Sequence, residues 1–168
     1  MILGTLAALN SIDAWAPRPS FGSWLSFSNV SSLIVIGTGK IDGQGSVWWK
    51  KSAIQVGKCN RSTALHFNKC TNLHLSGTTH LNSPKNHITV SGCNGVTISD
   101  IHISTAPSDS PNTDGIDIGK STNVIISNSF IGTGDDCDAI SGGCSDINIT
   151  GVACGPGHGI SVGSLGRL

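Results

Sequence analysis

Residues 112–164 read NTDGIDIGKSTNVIISNSFIGTGDDCDAISGGCSDINITGVACGPGHGISVGS, and one short pattern returns throughout. A small or polar turn leads into a run rich in Ile and Val. Gly115-Ile-Asp-Ile118, Asp138-Ala-Ile-Ser141 and Gly159-Ile-Ser-Val162 form one series; Val124-Ile-Ile-Ser127 and Ile147-Asn-Ile-Thr150 form a second between them. Upstream, the second series continues through Val96-Thr-Ile-Ser99, Leu73-His-Leu-Ser76 and Leu33-Ile-Val-Ile36. From Leu73 its starts are separated by 23 (96−73), 28 (124−96) and 23 (147−124) residues. Repeats of this length mark a solenoid. Two or more short strands per coil, with no strong helical pattern after Trp49, predict an all-β right-handed parallel β-helix. In that fold each strand pairs with its equivalent one coil away, and the inward Ile and Val stack into a continuous core. A hairpin sandwich would place Asn-Gly or Asp-Gly turns between adjacent strands. Asn94-Gly95 and Asp114-Gly115 are present, but the recurrence is harder for a sandwich to explain.

Composition agrees with this fold and narrows the function. The chain has 168 residues, read as a single domain over 1–168, with 22 Gly, 38% apolar residues, 12% charged residues and no net charge. A nucleic-acid binder needs a basic stripe, and none is present. Apolar content is too high for a disordered tail, and no apolar run approaches the ~18 residues of a membrane span. Cys59, Cys70, Cys93, Cys137, Cys144 and Cys154 have no zinc spacing. They predict disulfides and an oxidising compartment, with connectivity left open. Sequons at Asn29, Asn60 and Asn148 agree with secretion. The stretch Met1–Leu9 lacks a basic leader region and reads as an internal strand, with a decayed signal peptide as the alternative.

The acidic residues follow the repeat. Asp114, Asp136 and His158 are separated by 22 (136−114) and 22 (158−136) residues, so they fall at one place on successive coils. Asp135 adds a third carboxylate. Glycines adjoin all of them (Gly115, Gly134, Gly157, Gly159), where the backbone can turn and leave room for a ligand. Clustered carboxylates disfavour one another's ionisation, which raises at least one pKa. A protonated acid beside ionised partners is what glycoside hydrolysis requires. A solvated Asp-rich turn and a calcium site are the alternatives, although an imidazole is a poor ligand for that hard cation.

Asn112-Thr-Asp114, Gly134-Asp-Asp-Cys137 and Gly157-His-Gly159 with Ile160–Ser164 resemble, in order and spacing, the three signature motifs of the polygalacturonases. Asp42-Gly-Gln-Gly45 with Trp48-Trp49 is similar to that family's early DGQG segment, and the resemblance is nearest to the plant members. It implies a pectin-degrading glycoside hydrolase on a right-handed parallel β-helix. Asp135 would be the general acid, and Asp114 with Asp136 would hold and deprotonate the attacking water, giving inversion. His158 would adjust the acid pair's protonation; otherwise it is a structural histidine. Cys137 and Cys154 look like the family's disulfide at this turn. The resemblance further implies no metal or organic cofactor, polygalacturonate as partner, an extracellular cell-wall location, and a monomer without membrane or nucleic-acid contacts. His66, His74, His80, His87 and His102 match no motif and are expected on the surface or in strands.

Two departures from the family pattern bear on activity. The chain stops before the family's downstream Arg-Ile-Lys segment, whose cations bind galacturonate. It also lacks the N-terminal coil and cap, so it reads as an incomplete solenoid. Asp138, where the family has an apolar residue, should stack inward between Ile116 and Ile160, at a cost of several kcal/mol if unpaired. Three functions remain: a polygalacturonase, a non-catalytic remnant that binds pectin, and a β-helical pectate lyase. The lyase wants calcium and an arginine base, for which no cluster appears.

Overall fold

A computed structural model describes residues 1–15, 22–49, 61–105 and 110–163, with Trp15 described by its backbone alone. Strand β1 (Thr5–Ala7) leads through one helical turn, α1 (Ile12–Trp15), into β2 (Ser23–Ser28), β3 (Ile34–Ile36) and β4 (Lys40–Asp42). A second helical turn, α2 (Ser46–Trp49), precedes β5 (Thr63–Asn68), β6 (Thr71–Ser76) and β7 (Thr79–Leu81). The same triplet recurs as β8 (Ile88–Ser91), β9 (Asn94–Ser99) and β10 (His102–Ser104), then as β11 (Ile116–Gly119), β12 (Thr122–Ser127) and β13 (Phe130–Gly132). Strands β14 (Asp138–Ile140), β15 (Ser145–Thr150), β16 (Ala153–Cys154) and β17 (Ile160–Val162) follow. Met1–Leu9 contains a strand, as its sequence predicts.

Equivalent strands stack into three parallel sheets, in the orders β1-β4-β7-β10-β13-β16, β17-β14-β11-β8-β5-β2 and β15-β12-β9-β6-β3. The predicted solenoid is therefore present, with three strands per coil. Its registers reproduce the sequence alignment: Leu73 pairs with Val96, Val96 with Val124, and Val124 with Ile147. In the second sheet Leu65, Ile88, Ile116, Asp138 and Ile160 form one column.

Alternation decides which side chains are inside. Ile88, Val90, Ile98, Ile103, Ile116, Ile126 and Ile131 are fully buried in one continuous core. Each such side chain contributes roughly 1.5–3 kcal/mol by burial. The turn before each run has its own logic. Asn72, Gly95, Asn123 and Asp146 share a column at the start of the third sheet and all have φ between 54° and 71°. Asn, Asp and Gly tolerate this left-handed conformation, which explains the small or polar residue before each Val/Ile run.

The cysteines correct the sequence reading. Cys137 and Cys154 are bridged, as the family resemblance implies. Cys70 and Cys93 are free and buried, and Cys144 is free and half-buried; Cys59 lies outside the described residues. Cys70 and Cys93 are 23 residues apart, the repeat length itself. They stack within the core, where the Cys70 N–H points at Cys93 Sγ (3.3 Å) and the Cys93 N–H donates to Ser121 Oγ (3.0 Å). His80 lies in a strand, as expected, and only His87 departs from the expectation of a surface or strand position. His80 takes an inward strand position beside Ile41 and Ile103, and His87 lies in a turn rather than a strand; both are fully buried. Desolvation lowers their pKa values, to about 4 for His80 and about 3 for His87.

Asp138 behaves as its register predicts. It pairs with Ile116 and Ile160, is fully buried, and has no hydrogen-bond partner on either carboxylate oxygen. Burial pushes its pKa up to about 7.

Candidate active site

The turns entering the second sheet carry the acids. Two residues before the column of Ile88, Ile116, Asp138 and Ile160 lie Asn86, Asp114, Asp136 and His158. The equal 22-residue steps read from sequence are thus single-coil steps, and Asn86 extends the line one coil further. The backbone closes the stack: His87 N–H donates to Asp114 O (2.8 Å), Gly115 N–H to Asp136 O (2.9 Å), and His158 N–H to Asp135 O (2.8 Å).

Two of the glycines, Gly115 and Gly134, serve this stacking rather than a ligand, whereas Gly159 faces open space with φ 93°. A Cβ on Gly115 would run into the Cys137 carbonyl and Ile131, and one on Gly134 into Ser110. The space that the sequence reading reserves for substrate at these two positions is filled by the neighbouring coil. Buried hydroxyls complete the support. Thr113 Oγ1 donates to Ser110 O (2.6 Å) and accepts from the Gly134 N–H (3.1 Å), while Thr133 Oγ1 reaches Asp135 O (3.1 Å).

Asp135 is held from both sides. Its Oδ1 lies 3.2 Å from His158 Nδ1 and accepts from the Asp136 N–H (3.0 Å). Its Oδ2 accepts from Asn112 N (3.1 Å) and Asn112 Nδ2 (3.4 Å). Asp135 and Asp136 are half-buried and His158 is exposed. The three offer one ligand atom each within 4.8 Å of one another, two carboxylate oxygens and an imidazole nitrogen. That donor set suits a borderline cation better than calcium.

Asp114 is brought to the same pair. Its pKa is raised, first by burial and then by repulsion from Asp135 and Asp136, partly offset by hydrogen bonds from its own backbone and from Asp117. The Asp117 carboxyl is pushed up to about 7, first by burial and then by the Asp114 charge, with Lys85 opposing. Asp117 Oδ1 is buried without a hydrogen-bond partner among the described residues. Asn86 Nδ2 donates to the other Asp117 oxygen, Oδ2.

All four residues singled out from sequence, Asp114, Asp135, Asp136 and His158, thus lie together, and the Cys137–Cys154 bridge secures their turn. Asn86, Asp117 and Arg61 were missed. Asp117 was legible, since it sits between the inward Ile116 and Ile118 and so points outward beside Asp114. Asn86 lies 28 residues before Asp114, which is also a repeat step. Arg61, whose guanidinium donates to Asn112 Oδ1, sits 23 residues before Pro84 (84−61), again a repeat step, but matches no motif.

Comparison with known proteins agrees with this geometry. Residues 5–168 match the family Glycosyl hydrolases family 28. The chain is 55% identical over 144 residues to a probable polygalacturonase of Arabidopsis thaliana, covering 86% of this chain and 30% of that protein. It is 48% identical over 166 residues to an exopolygalacturonase of Zea mays, covering 98% of this chain and 40% of the relative. The chain thus spans well under half the length of these curated relatives. Among solved structures, a polygalacturonase from Erwinia carotovora ssp. carotovora superposes with a TM-score of 0.81 at 34% identity, covering 95% of this chain and 50% of its own. An endo-xylogalacturonan hydrolase from Aspergillus tubingensis gives 0.86 at 32% identity, covering 97% and 45%. With its parallel coils, its line of acids and a match over nearly its whole length, the chain belongs to glycosyl hydrolases family 28.

Proposed function

We propose that this protein hydrolyses α-1,4-galacturonosyl bonds of polygalacturonate by an inverting mechanism. The observation that carries the reading is the meeting of acids from successive coils, Asp114 from one and Asp135–Asp136 from the next, joined where the Gly115 N–H donates to Asp136 O (2.9 Å); burial first and then the Asp135 and Asp136 charges raise the Asp114 pKa. Asp135 protonates the glycosidic oxygen as its bond to the anomeric carbon breaks. Asp114 and Asp136 hold a water between them and take its proton as it attacks the opposite face of the sugar. His158, against Asp135 Oδ1, holds that carboxyl in place and adjusts its protonation.

The relatives named polygalacturonase support polygalacturonate as substrate, and the Cys137–Cys154 bridge supports secretion into an oxidising compartment. We place the protein in the extracellular cell wall, acting on pectin as a monomer without a cofactor. Reducing-sugar release from polygalacturonate tests the reading. Asp135→Asn should reduce release about 100-fold or more. Undiminished release in that variant would remove Asp135 from the proton-donor role.

One observation favours a second reading, a remnant that binds pectin without turning it over. Asp138 places an unpartnered acid inside the coil directly behind the catalytic turn. Retention on immobilised polygalacturonate with no sugar release would select it.

A further inference from the structure

Arg61 lies just before β5, four residues ahead of Leu65 in the second-sheet column. Pro84, Asn112 and Gly134 lie at the equivalent place, four residues ahead of Ile88, Ile116 and Asp138. The Arg61 side chain runs along this line. Its Nη1 donates to Pro84 O (3.5 Å) one coil away and to Pro111 O (2.6 Å) two coils away, while Nη2 donates to Asn112 Oδ1 (2.8 Å). Two coils are about 10 Å of axis. Among the described residues no carboxylate pairs with this half-buried guanidinium.

A guanidinium only donates, whereas an Asn amide has one accepting and one donating end. By claiming Asn112 Oδ1, Arg61 turns the Asn112 amide so that Nδ2 faces Asp135. It also fixes Pro111, and with it the backbone N–H of Asn112, which donates to the same Asp135 Oδ2.

We propose that Arg61 is a positioning residue for the catalytic acid, acting through Asn112 to aim the Asp135 carboxyl at the glycosidic oxygen. This rests on Asp135 being the proton donor. Lysine cannot replace it, because a point charge cannot reach Pro111 O and Asn112 Oδ1 as a fork does.

Arg61→Ala, Arg61→Lys, Asn112→Ala and the Arg61→Ala/Asn112→Ala double variant decide the matter on polygalacturonate. Arg61→Ala should lower kcat about 10- to 100-fold with KM nearly unchanged, because orientation of the acid and not substrate binding is lost. Arg61→Lys should not restore kcat, and the double variant should be no slower than the slower single variant. Additive losses, or a full kcat in Arg61→Lys, would overturn the proposal. Hydrogen exchange at the Asn112 backbone amide gives a readout that needs no turnover. It should quicken at least about tenfold in Arg61→Lys, which retains the charge and is the variant to use if Arg61→Ala does not fold. Unchanged exchange there overturns the proposal even if the protein cleaves nothing; absent cleavage with quickened exchange overturns only the catalytic reading beneath it.

Discussion

Asp138 shows how far one side chain can be read in this fold. Its column was fixed by sequence, and the structure places both its oxygens in the core without partners. Its folded pKa is about 7, above the ordinary 3.8, so folding favours the protonated form. Stability from this group is full below about pH 3.8 and is lost as pH rises through about 7. Asp138→Val should therefore raise thermal stability most above neutrality, by about 1–3 kcal/mol, and little near pH 4. Equal stability of the two proteins at pH 8 in thermal unfolding would contradict its burial. The same register logic missed Arg61, because its action depends on side-chain length and donor geometry, which have no period.

At the scale of elements, the strands were legible and the turns only in part. Alternation of Ile and Val with polar residues locates the strands of the third sheet, since burial on one face leaves no other reading. The cysteines were misread because cysteine has two roles. Bridges and buried thiols share a composition, and a separation of 23 residues fits stacking in successive coils. The one bridge among the described residues joins the turn of Asp135 and Asp136 to β16, its halves separated by 17 positions in sequence. Closing a loop of that length stabilises by about 3 kcal/mol. Reduction with a thiol should therefore lower the melting temperature and abolish sugar release below the new transition. Release that survives reduction undiminished would show that the turn holds its shape unaided.

For the molecule as a whole, fold and acid cluster followed from repetition, whereas the polar interior beneath the site did not. His80 and His87 fill inward positions and meet Thr78 and Thr105, at 3.0 Å and 2.7 Å. An isolated histidine in a polar sequence gives no hint of burial. Both have folded pKa values below the ordinary 6.5, so the fold favours the neutral imidazole. Their stabilising contribution is complete above about pH 6.5 and is lost as pH falls through about 4 and then about 3. Stability should thus decline on acidification while Asp138 and Asp117 act in the opposite sense. His87→Gln should show a shallower loss between pH 6 and 4 in thermal unfolding; an unchanged slope would mean that His87 is already hydrated.

Coil length varies along the chain. The step from Ile88 to Ile116 is 28 residues, whereas the two that follow are 22, and the surplus falls between β10 and Asn112. Pairing in the sheets sets the phase afresh at every turn, so residues gained or lost in that stretch of sequence leave the acids where they are. A single insertion between Gly134 and Cys137 has no such refuge and would carry Asp135 or Asp136 out of line. Gene-length drift in this lineage should therefore collect upstream of Asn112 and spare the turn that bears Asp135 and Asp136.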